Sequence, residues 1–117
     1  MAHDMFPPTS AEISRKRREL APAQLEAFRA FSKAVFADGA LPLKTKQLIA
    51  VAVAHTTQCP YCIHGHTEGA LKAGASEAEI MEAIWVAAEM RAGGAYAHSA
   101  LALDTMAREA KPAGDAG

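Results

Sequence analysis

The stretch LKTKQLIAVAVAHTTQ, from Leu43 to Gln58, limits the possible folds more than any other part of the chain. It follows Pro42, which suits a helix opening because its missing N–H costs nothing there. Its second half, including the IAVAVA run, is apolar nearly all round, and a helix of that kind is buried on most sides. Such a helix needs neighbours, and the flanking sequence offers more helices. TSAE at Thr9 to Glu12 has capping-box spacing, with Thr9 as N-cap and Glu12 at the third helical position. A short charged helix follows as far as Leu20. Pro22 opens a second helix, in which Leu25, Phe28, Phe31 or Ser32, and Val35 recur at helical spacing and predict a core or interface face. Gly39 is its expected stop. Pro60 and Gly74 bracket a fourth helix. SEAE at Ser76 to Glu79 is a second capping box, introducing a stripe of Ile80, Ile84, Ala87 and Ala88. Gly93 and Gly94 are expected to break or bend the chain before a last helix, AYAHSALALDTMARE. The tail from Pro112 onward reads as frayed, and His3 as part of a loose N-terminus. No strand alternation, hairpin signal or repeat is visible. The expected fold is all-α, a single domain over 1–117 built from about six helices.

Charge narrows the function classes. Twelve Lys and Arg oppose thirteen Asp and Glu, for a net charge of −1. That balance predicts no electrostatic attraction to nucleic acid or to an anionic membrane. The basic run RKRREL, Arg15 to Leu20, reads as a solvated helix face, since acids and apolar residues flank it. The N-terminus MAHDMFPPTS lacks the apolar stretch of a secretory signal, and charged or polar residues interrupt every candidate membrane span. Two cysteines without such a signal point to a reducing compartment, so the expected location is cytoplasmic.

Both cysteines fall in TTQCPYCIHGHTEGA, Thr56 to Ala70. Cys59 precedes Pro60 and therefore sits at a helix N-cap, where free N–H groups and the helix dipole favour thiolate, the reactive form. Cys62 lies three residues on, within disulfide reach at a helix start. His66 is one turn beyond Cys62 on the same face and is placed to take or return a thiol proton. Upstream, Gln47, Val51 and His55 form an i, i+4, i+8 row, which turns a polar edge of the buried helix toward the cysteines. The dipole argument favours Cys59 as the more acidic thiol, whereas the His66 spacing favours Cys62. A zinc site from Cys59, Cys62, His66 and either His55 or His64 is a chemical alternative, because Cys2His2 is an ordinary ligand set. Small buried hydrophobes are another use of two cysteines. His64 reads as a surface or interface residue, while Tyr96, His98, Trp85 and the methionines read as core or interface filling. Asp104 and Glu109 read as exposed helix charges.

The segment KTKQLIAVAVAHTTQCPYCIHGHTEGALKAGASEAEIMEAI resembles the core of the alkylhydroperoxidase D / carboxymuconolactone decarboxylase family. The resemblance is carried by C-x-x-C-x-x-x-H after a buried helix and by the spacing of EGALKAGASEAEI. It is strongest from Leu41 to Ile84 and continues more weakly through WVAAEMRAGGAYAHSALAL, giving a core at 41–106. It implies an all-helical homo-oligomer, with a hexamer favoured over a trimer. It also implies a thiol peroxidase in which Cys62 attacks the peroxide, Cys59 resolves the product as a disulfide and His66 relays protons. Hydrogen or alkyl hydroperoxides would be the substrates and an external dithiol, such as a lipoyl group, the reductant. Neither a metal nor an organic cofactor is implied. The family pattern has a glutamate twelve residues before the first cysteine, where this chain has Gln47. Glutamine cannot accept a proton at neutral pH, which makes His55, and then Glu89, the expected substitutes in the relay. A thiol-disulfide reductase or electron-passing adaptor using the same residues is the second reading. A carboxymuconolactone decarboxylase-like lyase, whose chemistry gives the cysteine pair no task, and a metal-binding oligomer are the lesser ones.

Overall fold

The computed structural model describes residues 5–110. Five helices account for nearly all of them: α1 Ala11–Leu20, α2 Pro22–Phe36, α3 Leu43–Thr57, α4 Pro60–Lys72 and α5 Glu77–Glu109. The described residues contain no strand, as the hydrophobic periodicity predicts.

Local chemistry sets the helix ends. Ser10 caps α1 by accepting the Ile13 amide at 3.2 Å, so the cap is one residue later than the Thr9 expected from sequence. Either hydroxyl satisfies the same orphan amide, and spacing alone does not choose between adjacent Ser and Thr. Pro22 is the first residue of α2, while Pro42 is the N-cap of α3 rather than its first residue. Ser76 and Glu79 form the full reciprocal capping box of α5. Gly74, at φ 94°, reverses the chain after α4, a conformation open to glycine because it has no Cβ.

The largest difference from expectation lies in α5. It runs unbroken through Gly93 and Gly94 for 33 residues, which is why there are five helices and not six. Each glycine weakens a helix by about 0.5–1 kcal/mol relative to alanine, too little to end one that is otherwise well formed.

The core lies where α3, α4 and α5 meet. Val51, Ala70, Ala75 and Ile80 are buried together, with Leu48 and Ile84 packed against them. The alanines keep the helix surfaces shallow enough for close approach. A Lys44–Glu79 ion pair at 2.8 Å joins α3 to α5, and Arg91 donates to the Thr56 carbonyl at 3.2 Å. Lys46 donates to the Val35 and Ala37 carbonyls at 2.8 and 2.5 Å, which ties the C-terminal end of α2 to α3.

The IAVAVA run is only half covered within one chain. Val51 and Ala54 are buried, but Ile49 and Val53 are 48% and 52% exposed. Phe28, Phe31 and Val35 of α2 also face outward, as does Trp85 of α5, so they do not fill this chain's core. No helix among the described residues is long and apolar enough to cross a membrane.

Candidate active site

The site is assembled at the turn between α3 and α4. Gln58 ends α3 in the left-handed conformation, φ 56° and ψ 51°, and its amide donates to the Ala54 carbonyl. For a residue with a Cβ this conformation costs of order 1 kcal/mol. The reversal brings Cys59 to the N-cap of α4 and lays α4 back along α3.

Cys59 and Cys62 are both free thiols and half-buried. The Cys62 amide donates to Cys59 Sγ at 3.3 Å, a thiol version of the usual serine cap. Cys59 is held below its ordinary pKa, first by the hydrogen bond from the Cys62 thiol and then by that amide. Cys62 is pushed upward, first because its thiol donates to Cys59, then by burial and by the charge on Cys59. The two sulfurs therefore behave as one coupled acid whose anion favours Cys59.

His66 is fixed from two sides. Its Nδ1 lies 2.8 Å from Gln47 Oε1, and since a carbonyl oxygen can only accept, Nδ1 carries the proton. Nε2 is then the nitrogen left for proton transfer in the neutral ring. Phe36, from the end of α2, stacks on the imidazole with centroids 5.1 Å apart and planes 19° apart. Gln47 in turn lies over Gly69: a Cβ on that glycine would sit 2.8 Å from Gln47 Oε1 and 2.9 Å from its Cδ.

Of the residues singled out from sequence, the fold thus joins Cys59 with Cys62 and Gln47 with His66. His55 directs Nδ1 to the Val51 carbonyl of its own helix, at 2.8 Å. Glu89 is exposed on α5, its carboxylate lying back toward Gly93. Among the described residues no three His, Cys, Asp or Glu side chains gather where one metal ion could bind them all. Phe36 and Gly69 were not anticipated. Gly69 had a signal, since a glycine inside a helix often marks a close approach. Phe36 had none, because only the packing of α2 brings it to the site.

The carboxymuconolactone decarboxylase family model matches residues 22–105, from the start of α2 to near the end of α5 and well over half of the chain. The chain belongs to the carboxymuconolactone decarboxylase family. Its similarity to uncharacterized protein 4 in the cox locus of Paracoccus denitrificans is 60% identity over 103 residues, covering 88% of this chain and 92% of that protein. Among solved structures, a protein from Methanobacterium thermoautotrophicum superposes with a TM-score of 0.68 at 39% identity, covering 73% of this chain and 98% of that one. A carboxymuconolactone decarboxylase family protein from Legionella pneumophila gives 0.64 at 35% identity, covering 83% and 87%. The all-helical fold is therefore that of the carboxymuconolactone decarboxylase family. Within that frame Gln47 occupies the position where the glutamate of the family pattern was expected, and it still reaches the histidine.

Proposed function

We propose that this chain is a dithiol-dependent hydroperoxide reductase cycling between the Cys59–Cys62 dithiol and disulfide. The observation that carries the reading is a pair of free thiols at the start of α4, Cys59 Sγ accepting the Cys62 amide, one turn before an imidazole whose Nδ1 is already engaged by Gln47. An i, i+3 spacing across a first helical turn also suits the separation of about 4.4–6.8 Å between disulfide-linked Cα atoms.

In the cycle, His66 Nε2 takes the Cys62 proton and the thiolate attacks the terminal oxygen of ROOH. The S–O bond forms, the O–O bond breaks, and RO⁻ leaves as ROH with the proton from His66. Cys62 is now a sulfenic acid. The Cys59 thiol condenses with it, forming the S–S bond and releasing water. Two thiols have given two electrons to the peroxide. An external dithiol of lipoyl type restores the pair by exchange and is itself oxidised to a disulfide. Gln47 holds the ring but brings no charge, so the relay has less driving force than a carboxylate would supply. As a working unit we propose a homo-oligomer, a hexamer before a trimer, because the apolar faces of α2, α3 and α5 lack cover within one chain.

Thiol counting tests the cycle. One equivalent of hydroperoxide is expected to consume two thiols in the native chain and to leave a trappable sulfenic acid on Cys62 in Cys59→Ser. A sulfenic acid that forms only on Cys59, in Cys62→Ser, reverses the roles, and thiols inert to every peroxide defeat the reading.

A second reading has an observation of its own. The lowered Cys59 thiol at the N-cap suits attack on a disulfide, as in a thiol-disulfide reductase or electron-passing adaptor. Protein disulfides that oxidise the pair faster than hydrogen peroxide and organic peroxides would select it.

A further inference from the structure

The imidazole of His66 is held on one edge by α3 and on one face by α2, and the two holds start from consecutive residues. Gln47 bonds Nδ1 directly. Lys46 reaches the same ring through α2. Its ammonium donates to the Val35 and Ala37 carbonyls, at 2.8 and 2.5 Å, and Phe36, the residue between them, stacks on the imidazole. The end of α2 has a use for that cation, because the last four carbonyls of a helix have no partner inside it. In α1, α3, α4 and α5 the C-cap amide bonds back to a carbonyl of its own helix. α2 instead passes into an extended Ala37, at φ −66° and ψ 148°, and Lys46 satisfies its end from α3. An ammonium there also meets the negative end of the helix dipole, and hydrogen bonds from a charged donor are roughly twice as strong as neutral ones. Within the chain little else fastens this helix to the core: none of its residues is buried, and Phe28 and Phe31 face outward.

We propose that Lys46 is a positioning residue, which clamps the carbonyls on either side of Phe36 and so keeps the phenyl ring against His66 during proton transfer. The clamp stands on the geometry alone, while its effect on rate rests on the peroxidase reading. A hydrogen bond at Nδ1 leaves the imidazole free to rock about that bond, since the histidine χ2 profile is broad. A ring packed on one face removes this freedom, provided that the packed ring is itself fixed. Phe36 ends a helix that has no buried anchor of its own, so its position depends on the ammonium that bridges Val35 and Ala37. Lys46 thereby acts on the relay without touching it. Its charge is spent on backbone carbonyls, and Gln47, the next residue of α3, supplies the direct contact.

NMR of the full chain with isotope-labelled histidine, His66 being assigned through His66→Gln, reads the clamp without turnover. A phenyl ring stacked on the imidazole shields its protons, so Phe36→Leu should move the His66 signals downfield. Lys46→Met should move them the same way, and Lys46→Arg, which also donates to carbonyls, should leave them near their native positions. None of these changes touches the buried cluster of Val51, Ala70, Ala75 and Ile80, so the fold is expected to persist. Peroxide-driven disulfide formation should slow by about tenfold in Phe36→Leu and in Lys46→Met, as for loss of an orienting partner, and recover in Lys46→Arg. The Phe36→Leu/Lys46→Met double variant should be no slower than the slower single one, because the lysine acts through the phenylalanine. Native His66 signals in Lys46→Met, an unchanged rate in that variant, or losses that multiply in the double variant each overturn the proposal. Signals that move as expected in a protein whose native form reduces no peroxide defeat the peroxidase reading and leave the clamp standing.

Discussion

At the scale of single residues, the site depends on what holds the imidazole. Gln47 fixes the tautomer of His66 and Phe36 fixes its plane, while Gly69 makes the space in which Gln47 lies. Gly69→Ala separates these roles. The new methyl collides with the end of a flexible side chain, so the helix tolerates it, but Gln47 must leave His66. Peroxide-driven disulfide formation is expected to slow by about tenfold, the lower end of what losing an orienting partner costs. Circular dichroism should show unchanged helicity. An unchanged rate would mean that Gln47 does not orient the ring during turnover.

Among the elements, α5 shows how weakly a glycine pair punctuates a helix. The capping box at Ser76 and Glu79 starts it firmly, and the Lys44–Glu79 pair fastens that start to α3. Beyond this anchor, Gly94 has nothing within 4 Å of where a Cβ would lie. Gly94→Ala should therefore stabilise the protein by about 0.5–1 kcal/mol, through the lower backbone entropy of alanine. Thermal unfolding reads this directly as a higher Tm. A lower Tm would place another chain close against Gly94.

The whole molecule is far from a compact ball. Its radius of gyration is 21.6 Å, against about 13 Å for a compact chain of about 100 residues. Phe28, Phe31, Trp85, Met90, Leu101 and Leu103 are each more than 60% exposed. An apolar surface of this extent marks an interaction face, and the homo-oligomer proposed above would cover it without leaving edges. Light scattering is expected to give a multiple of the 12.3 kDa chain mass. Trp85 should then emit as a buried indole, shifting to the red in a Leu101→Lys/Leu103→Lys variant that dissociates. A native chain of single mass with red emission would contradict the assembly.

The sequence alone determined the helical class, most helix starts and the placement of Cys59 and Cys62 together at the start of α4, because each depends on residues no more than a turn or two apart. Capping hydroxyls, prolines at first helical positions and C-x-x-C-x-x-x-H spacing act over that range, so they can be read along the chain. The tertiary structure decided everything that joins distant segments: Gln47 to His66 across nineteen positions, Phe36 onto the imidazole, and the N-terminal arm onto Tyr61. It also decided that α5 continues through Gly93 and Gly94, since local propensity gives the cost of a glycine but not the sum of favourable terms that outweighs it. Long-range pairing is set by which faces pack together, and that depends on the whole chain at once.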